Sequence, residues 1–403
     1  MLKPIRYVLA PLHKEPTAVE FKYRGLERRV KIGYKCNPKR PIPSPHYFDP
    51  KMYKVESGKV ILVVAGKGMG KTNLMRNIIQ AYYRTTTNPI IVFQEKAGDL
   101  NFNRYPTLRQ CMRLGIEYIR LAPPVGKNSV QRYLVPLRDK LKREEVKYKI
   151  PLCEMDYSSL EKYVSKRIGS TWAGMILERI WQNPRNIQNI HLLREAVYDE
   201  LVKFEDDKLY EQMLLFLERF FQILEMDELL EVHKAVSAET IFDDQQINIV
   251  DLSDISDVEQ KQFVVAQTLK MVERLYKRRE CFIGITETHV YAPEAGSNPA
   301  KDAIVRLVTV LARSYGWIVF LETQSPDALE RIVLENADEI YILGYIQKSK
   351  LSKLIKCSSV CFEGFVDKYY KVVEDIPKGR GIWGSVTNPT KPYLVQILRS
   401  PVG

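Results

Sequence analysis

Residues Ala65–Asn73 read Ala-Gly-Lys-Gly-Met-Gly-Lys-Thr-Asn: three glycines at alternate positions, then a lysine and a hydroxyl. Glycines tolerate backbone angles that other residues avoid, so the N–H groups of such a turn can converge on an anion. The pattern matches the phosphate-binding Walker A sequence except for Ala65 at its first position. An apolar run, Val60–Val64, precedes the turn, and Leu74, Met75, Ile78, Ile79 and Tyr82 follow it at helical spacing. A strand thus delivers the chain into the turn, and a helix leaves it with its N-terminus facing the phosphates. Gly66, Lys67, Gly68, Met69, Gly70, Lys71, Thr72 and Asn73 are expected to cradle a nucleotide. Lys71 is expected to reach the β- and γ-phosphates and Thr72 to ligate Mg²⁺, which makes ATP and Mg²⁺ the expected cofactors.

Hydrolysis also needs a carboxylate at a strand end beside the loop. Asp251 follows Ile-Asn-Ile-Val, and Glu287 follows Cys-Phe-Ile-Gly-Ile-Thr, so both are candidates. Glu287 is placed to polarise the attacking water. Thr286 stands where such a strand usually supplies an aspartate to the metal shell; the departure either weakens metal binding or leaves the Thr286 hydroxyl to hold a metal-bound water. Gln324, at the end of the next strand, is positioned to sense the γ-phosphate. Arg313, at the end of a helix, is positioned to enter an adjacent subunit's site and neutralise transition-state charge. A favourable contact with the helix dipole accounts for an arginine there equally well. His289 by itself reads as a packed or solvated histidine.

The elements that must position these groups alternate. Pro89–Phe93, Ile116–Leu121, Ile247–Val250, Cys281–Ile285, Trp317–Leu321 and Ile340–Leu343 read as strands. Ser256 and Glu259 form a capping-box pattern ahead of a long helix to Arg278. A helix over Ala300–Tyr315 closes at Gly316, and Ser325-Pro326 reads as an N-cap and N1 pair for the next helix. The expected fold is α/β: a RecA-like P-loop NTPase with a mostly parallel sheet, a helical insertion and a small N-terminal β element. The divisions are 1–55 (basic β element, from Val19–Tyr23 and Arg29–Ile32, with a proline-rich linker at Pro38–Pro50), 56–150 (first part of the core), 151–240 (helical insertion, with a stripe of Leu209, Met213, Phe216, Leu217, Phe220 and Leu224), 241–345 (second part of the core) and 346–403 (basic extension).

The 403 residues, 45% hydrophobic and 27% charged, suit a globular protein of two or three domains and exclude a disordered one. No apolar run approaches the length of a membrane span, and Met1–Pro11 is too short and charged for a signal peptide, so a cytoplasmic protein is expected. The six cysteines lack paired spacing, which argues against a zinc site. Net charge is +12 and unevenly spread. Residues 1–60 hold fourteen Lys+Arg against five Asp+Glu, residues 157–240 ten against fifteen, and residues 345–403 ten against four. Basic ends around an acidic middle suit a polyanionic partner.

Taken in order, Ala65–Thr72, Asn248–Ser253, Thr286-Glu287-Thr288-His289, Ala312-Arg313-Ser314-Tyr315-Gly316 and Glu322-Thr323-Gln324-Ser325-Pro326 form a series. The series resembles the HerA/FtsK group of P-loop ATPases, particularly its HerA-like branch. In that group the Walker B strand is followed by Arg-x-x-Gly and then by a strand ending in Thr-Gln-x-Pro. The resemblance covers roughly residues 60–344 and favours Glu287 over Asp251 as the catalytic acid. Thr286 and the short N-terminal part depart from cellular HerA proteins, as a plasmid- or virus-encoded relative would tolerate. The resemblance implies a homohexameric ring that moves double-stranded DNA using ATP, with a nuclease or a packaging or transfer partner. Related cores serve genome packaging, conjugation and protein secretion, and a low-turnover ATP-binding switch is a further reading.

Overall fold

The computed structural model describes residues 30–37, 40–48, 58–96, 118–121, 131–133, 143–145, 148–168, 174–204, 210–242, 244, 247–360, 379–387 and 392–397. Its centre is a parallel sheet of β3 (Lys59–Ala65), β4 (Ile90–Gln94), β5 (Tyr118–Leu121), β10 (Ile247–Asp251), β11 (Phe282–Ile285), β12 (Ile318–Thr323) and β13 (Glu339–Leu343). The spatial order is β13-β3-β12-β11-β4-β10-β5, so β12 lies between the strand entering the glycine turn and β11, the strand that leads into Thr286 and Glu287. Antiparallel strands extend both edges: β6 (Gln131–Tyr133) and β7 (Arg143–Glu145) beyond β5, and β14 (Arg380–Ser385), β15 (Tyr393–Ile397), β1 (Val30–Asn37) and β2 (Arg40–Phe48) beyond β13. The fold is the α/β P-loop architecture that the sequence pattern predicts.

The central strands are continuous apolar runs because both faces are covered. Along β3, Val60, Leu62 and Val64 enter one core, while Ile61, Val63 and Ala65 enter another with Leu74, Met75, Ile78 and Ile79 of α1 (Lys71–Thr85). The first core extends into the helical insertion: α2 (Tyr157–Ile168), α3 (Gly174–Trp181), α4 (Ile190–Leu201) and α5 (Tyr210–Met226), with the short parallel pair β8 (Ile150–Pro151) and β9 (Leu230–Glu231). Met213, Leu217, Phe220, Phe221 and Leu224 are the buried stripe of α5; Phe216 is partly buried and Leu209 lies outside the described residues. The same core takes in α6 (Val258–Tyr276) and α7 (Pro299–Arg306), which continues through a π-helical turn to Tyr315 and stops at left-handed Gly316 (φ 68°). Beyond β13, α8 (Lys348–Cys357) leads toward β14. Among the described residues, no helix is long and apolar enough to cross a membrane.

Three local readings differ from the sequence-based expectation. The cap of α6 is Asp257, whose carboxylate accepts from the Glu259 N–H at 2.8 Å; the helix begins one residue later than the Ser256 box requires. Ser325-Pro326 opens a single 3₁₀ turn, Pro326–Ala328, without a side-chain cap, and the next α-helical segment starts at Arg331. The proline-rich stretch expected as a linker carries β2, whose prolines 41, 43 and 45 fall at period two. β2 is outermost among the described strands, where a sheet tolerates proline, and its pairing with β1 shifts register across residues 41–43. Of the two N-terminal β segments, Val19–Tyr23 lies outside the described residues, and Arg29–Ile32 overlaps β1.

Gly58, at the entry to β3, is closed in by backbone. A Cβ there would lie 2.1 Å from the Ala312 carbonyl oxygen and 2.2 Å from that of Trp317. Gly58→Ala is expected to cost about 1–3 kcal/mol, because backbone cannot yield as a side chain does. A denaturant midpoint indistinguishable from that of the parent chain would contradict this packing.

Candidate functional site

The parallel strands end together. Thr323 of β12 is level with Val64 of β3, and Ile285 of β11 is level with both Leu321 of β12 and Phe93 of β4. The glycine turn, Lys96, Glu287 and Gln324 therefore emerge on one edge, where open α/β sheets bind their ligands.

The glycine turn has the geometry a phosphate site requires. Gly68 (φ 77°) and Gly70 (φ 106°) are both left-handed, and a Cβ on Gly68 would meet nothing within 4 Å. Gly70 is the N-cap of α1 and offers no side-chain cap; the first turn also holds no acidic residue. The opening N–H groups and positive end of a fifteen-residue helix are thus matched to an anion. Lys71 is buried, and its Nζ donates back to the Ala65 carbonyl at 3.3 Å. Lys67 is exposed; Thr72 and Asn73 are half-buried on the first turn. The turn is braced from behind by Gly379, whose N–H donates to the Met69 carbonyl at 3.2 Å, and by Gly344, where a Cβ would press on the Met69 side chain.

Two strands away, Glu287 has the left-handed backbone (φ 47°, ψ 46°) and is the sole non-glycine residue with positive φ among the described ones. Its carboxylate is buried. Lys96 Nζ and Gln324 Nε2 both donate to Oε1. Burial works to raise the Glu287 pKa, but the Lys96 and Gln324 hydrogen bonds and the charges of Lys96 and Lys71 outweigh it and hold the group below its ordinary value. Glu287 is therefore an ionised carboxylate within the field of the loop lysine. His289 Nδ1 lies 3.1 Å from the Thr323 hydroxyl, and burial lowers the imidazole pKa against the attraction of Glu287, so the ring is neutral at pH 7.

The remaining residues named from sequence separate into two groups. The Thr286 hydroxyl is buried and accepts from the Glu95 N–H at 2.8 Å, tying β11 to the end of β4. Asp251 caps its own turn, accepting from the Ser253 N–H at 3.0 Å, on a strand separated from β3 by three others. Arg313 lies at the other end of the sheet: its Nη2 donates to Asp338 at 2.8 Å, and Asp338 accepts from the Val60 N–H at the start of β3. It is not part of the sheet edge that carries the glycine turn, Lys96, Glu287 and Gln324. Lys96 received no role from sequence; it follows Gln94-Glu95 at the end of β4, and only strand order brings it to Glu287. Glu95 beside it pairs with Lys261 at 2.5 Å and accepts from the Tyr291 hydroxyl. Among the described residues no cluster of three or more His, Cys, Asp or Glu could hold a metal ion. A divalent ion here would rest on the Thr72 hydroxyl, phosphate oxygens and water, a donor set that suits Mg²⁺.

No family model matches the chain, and no curated protein matches it in sequence. Solved structures do match. VirB4 of Thermoanaerobacter pseudethanolicus aligns with a TM-score of 0.59 at 13% identity, over 92% of this chain and 96% of that one. ATPases 2 and 3 of EssC from Geobacillus thermodenitrificans (TM-score 0.40, 10% identity, 94% of this chain and 46% of that one) are more distant in shape. So is B204, the DNA-packaging ATPase from Sulfolobus turreted icosahedral virus (0.35, 10%, 84% and 98%). Strand order, the glycine turn and the VirB4 likeness agree on the fold: this chain has the α/β architecture of VirB4.

Proposed function

We propose that this chain is an ATP-hydrolysing motor that moves double-stranded DNA as a homo-oligomeric, hexameric ring in the cytoplasm. The observation that carries the reading is Glu287: a buried, ionised carboxylate on the same sheet edge as the Lys71 turn. In this reading the turn N–H groups and Lys71 hold the β- and γ-phosphates, and Thr72 holds Mg²⁺, which when bound draws charge from the γ-phosphate. Glu287 orients and deprotonates the attacking water. Gln324, already bonded to Glu287, links that carboxylate to the end of β12, and the buried Thr286 hydroxyl, bonded to the Glu95 N–H, keeps β11 in register with β4; a metal-bound water would need that hydroxyl as its donor. Arg313, paired with Asp338 in its own chain, serves a neighbouring subunit's site.

Double-stranded DNA is the proposed track because the excess basic charge lies in residues 1–60 and 345–403 and so repeats around a ring. A nuclease or a packaging or transfer apparatus is the corresponding partner. The test is ATP turnover with and without linear duplex DNA across a salt series. DNA stimulation that falls steeply with salt is expected, and Lys71→Ala is expected to abolish turnover in both conditions. Turnover indifferent to DNA would point to protein transport. ATP binding without turnover would point to a switch.

A further inference from the structure

The Glu287 carboxylate is held by one oxygen only. Lys96 and Gln324 converge on Oε1, whereas Oε2 is buried and has no hydrogen-bond partner among the described residues; His289 Nδ1 stands 3.7 Å from it. The two donors come from opposite sides of β11, Lys96 from the end of β4 and Gln324 from the end of β12. The left-handed backbone beneath them costs a non-glycine residue about 1 kcal/mol or more and persists where its surroundings hold it. A clamp from both neighbouring strands is such a holder.

We propose that Lys96 is a positioning residue for Glu287: with Gln324 it fixes Oε1 and thereby sets the orientation in which the carboxylate meets the attacking water. This rests on Glu287 being the general base. The Lys96 side chain is 52% exposed and that of Glu287 5%, so the ammonium reaches inward from the surface and little core packing depends on it. A lysine at this position also supplies the positive charge that keeps a buried carboxylate beside bound phosphates from swinging away. Gln324 is committed to the same task, because its amide already donates to Glu287.

Lys96→Met is expected to lower kcat for ATP about ten- to a hundredfold, the scale of a misplaced reacting group, with KM and nucleotide affinity unchanged. Lys96→Arg, which restores charge and reach, is expected to recover part of the loss. The decisive arm is Lys96→Met in a Glu287→Gln background, read by single-turnover phosphate release. With no carboxylate left to position, the second substitution should add nothing. Equal losses in both backgrounds would make Lys96 merely structural and overturn the proposal, as would a kcat for Lys96→Met that is unchanged or raised. If Glu287→Gln itself turns over normally, the reading of Glu287 as base fails. If Glu287→Gln is inactive while Lys96→Met is unimpaired, the Lys96 proposal alone fails.

Discussion

Glu287→Gln is expected to cut kcat for ATP at least about 100-fold while leaving nucleotide affinity nearly unchanged. The amide keeps the shape and burial of the side chain but can neither take a proton from water nor balance Lys96. Nucleotide binding stays because its groups belong to the turn: Lys71, the glycine backbone at 68 and 70, and the N-terminus of α1. Steady-state phosphate release, with titration of a fluorescent nucleotide, separates the two effects. A variant that retains full turnover would remove Glu287 from the mechanism. The same variant tests the ring. Mixing Glu287→Gln with Arg313→Ala subunits creates interfaces where an intact Glu287 faces an intact neighbouring Arg313, and recovered turnover is expected. No recovery in any mixture would leave Arg313 with its Asp338 pair as its whole role.

The largest expected effect on stability lies at the opposite end of the sheet. Lys59 and Glu339, at the starts of β3 and β13, form an ion pair with side chains only 7% and 5% exposed. Burial lowers the Lys59 pKa, and the Glu339 charge works against that. Glu339→Gln leaves a buried ammonium without its carboxylate and is expected to destabilise by about 3–5 kcal/mol, read as the shift in a denaturant midpoint. The deficit should narrow as pH rises toward the unfolded lysine pKa. A lysine whose folded pKa is depressed is unfavourable below its unfolded value and recovers as it becomes neutral. The double variant Lys59→Met, Glu339→Leu is expected to lie within about 1–2 kcal/mol of the parent, since apolar replacement of both partners removes the desolvation cost together with the attraction. A Glu339→Gln chain as stable as the parent would mean that the pair is solvated.

Elements whose signal is local were legible in the chain. β3 and α1 follow from a buried apolar run and a helical stripe around the glycines, and Gly316 ends its helix because a left-handed residue stops one. Capping was less legible: Ser256 and Asp257 are adjacent, and which one caps depends on where α6 docks. β2 is not legible locally: proline signals a linker unless its strand has an open edge, and edges are set by distant partners.

The sequence by itself determined the glycine turn, since all its residues lie within one stretch of nine and its geometry follows from glycine backbone and helix polarity. It also offered Glu287 and Gln324 as strand-end groups. Only the tertiary structure decided that these meet, and that Lys96 joins them. Residues 96, 287 and 324 approach one another because β4, β11 and β12 are neighbours and end together, and strand order is fixed by packing across the whole sheet. Packing likewise sent Arg313 to the start of β3: a helix-end arginine carries no local mark of which end of the sheet its helix will reach.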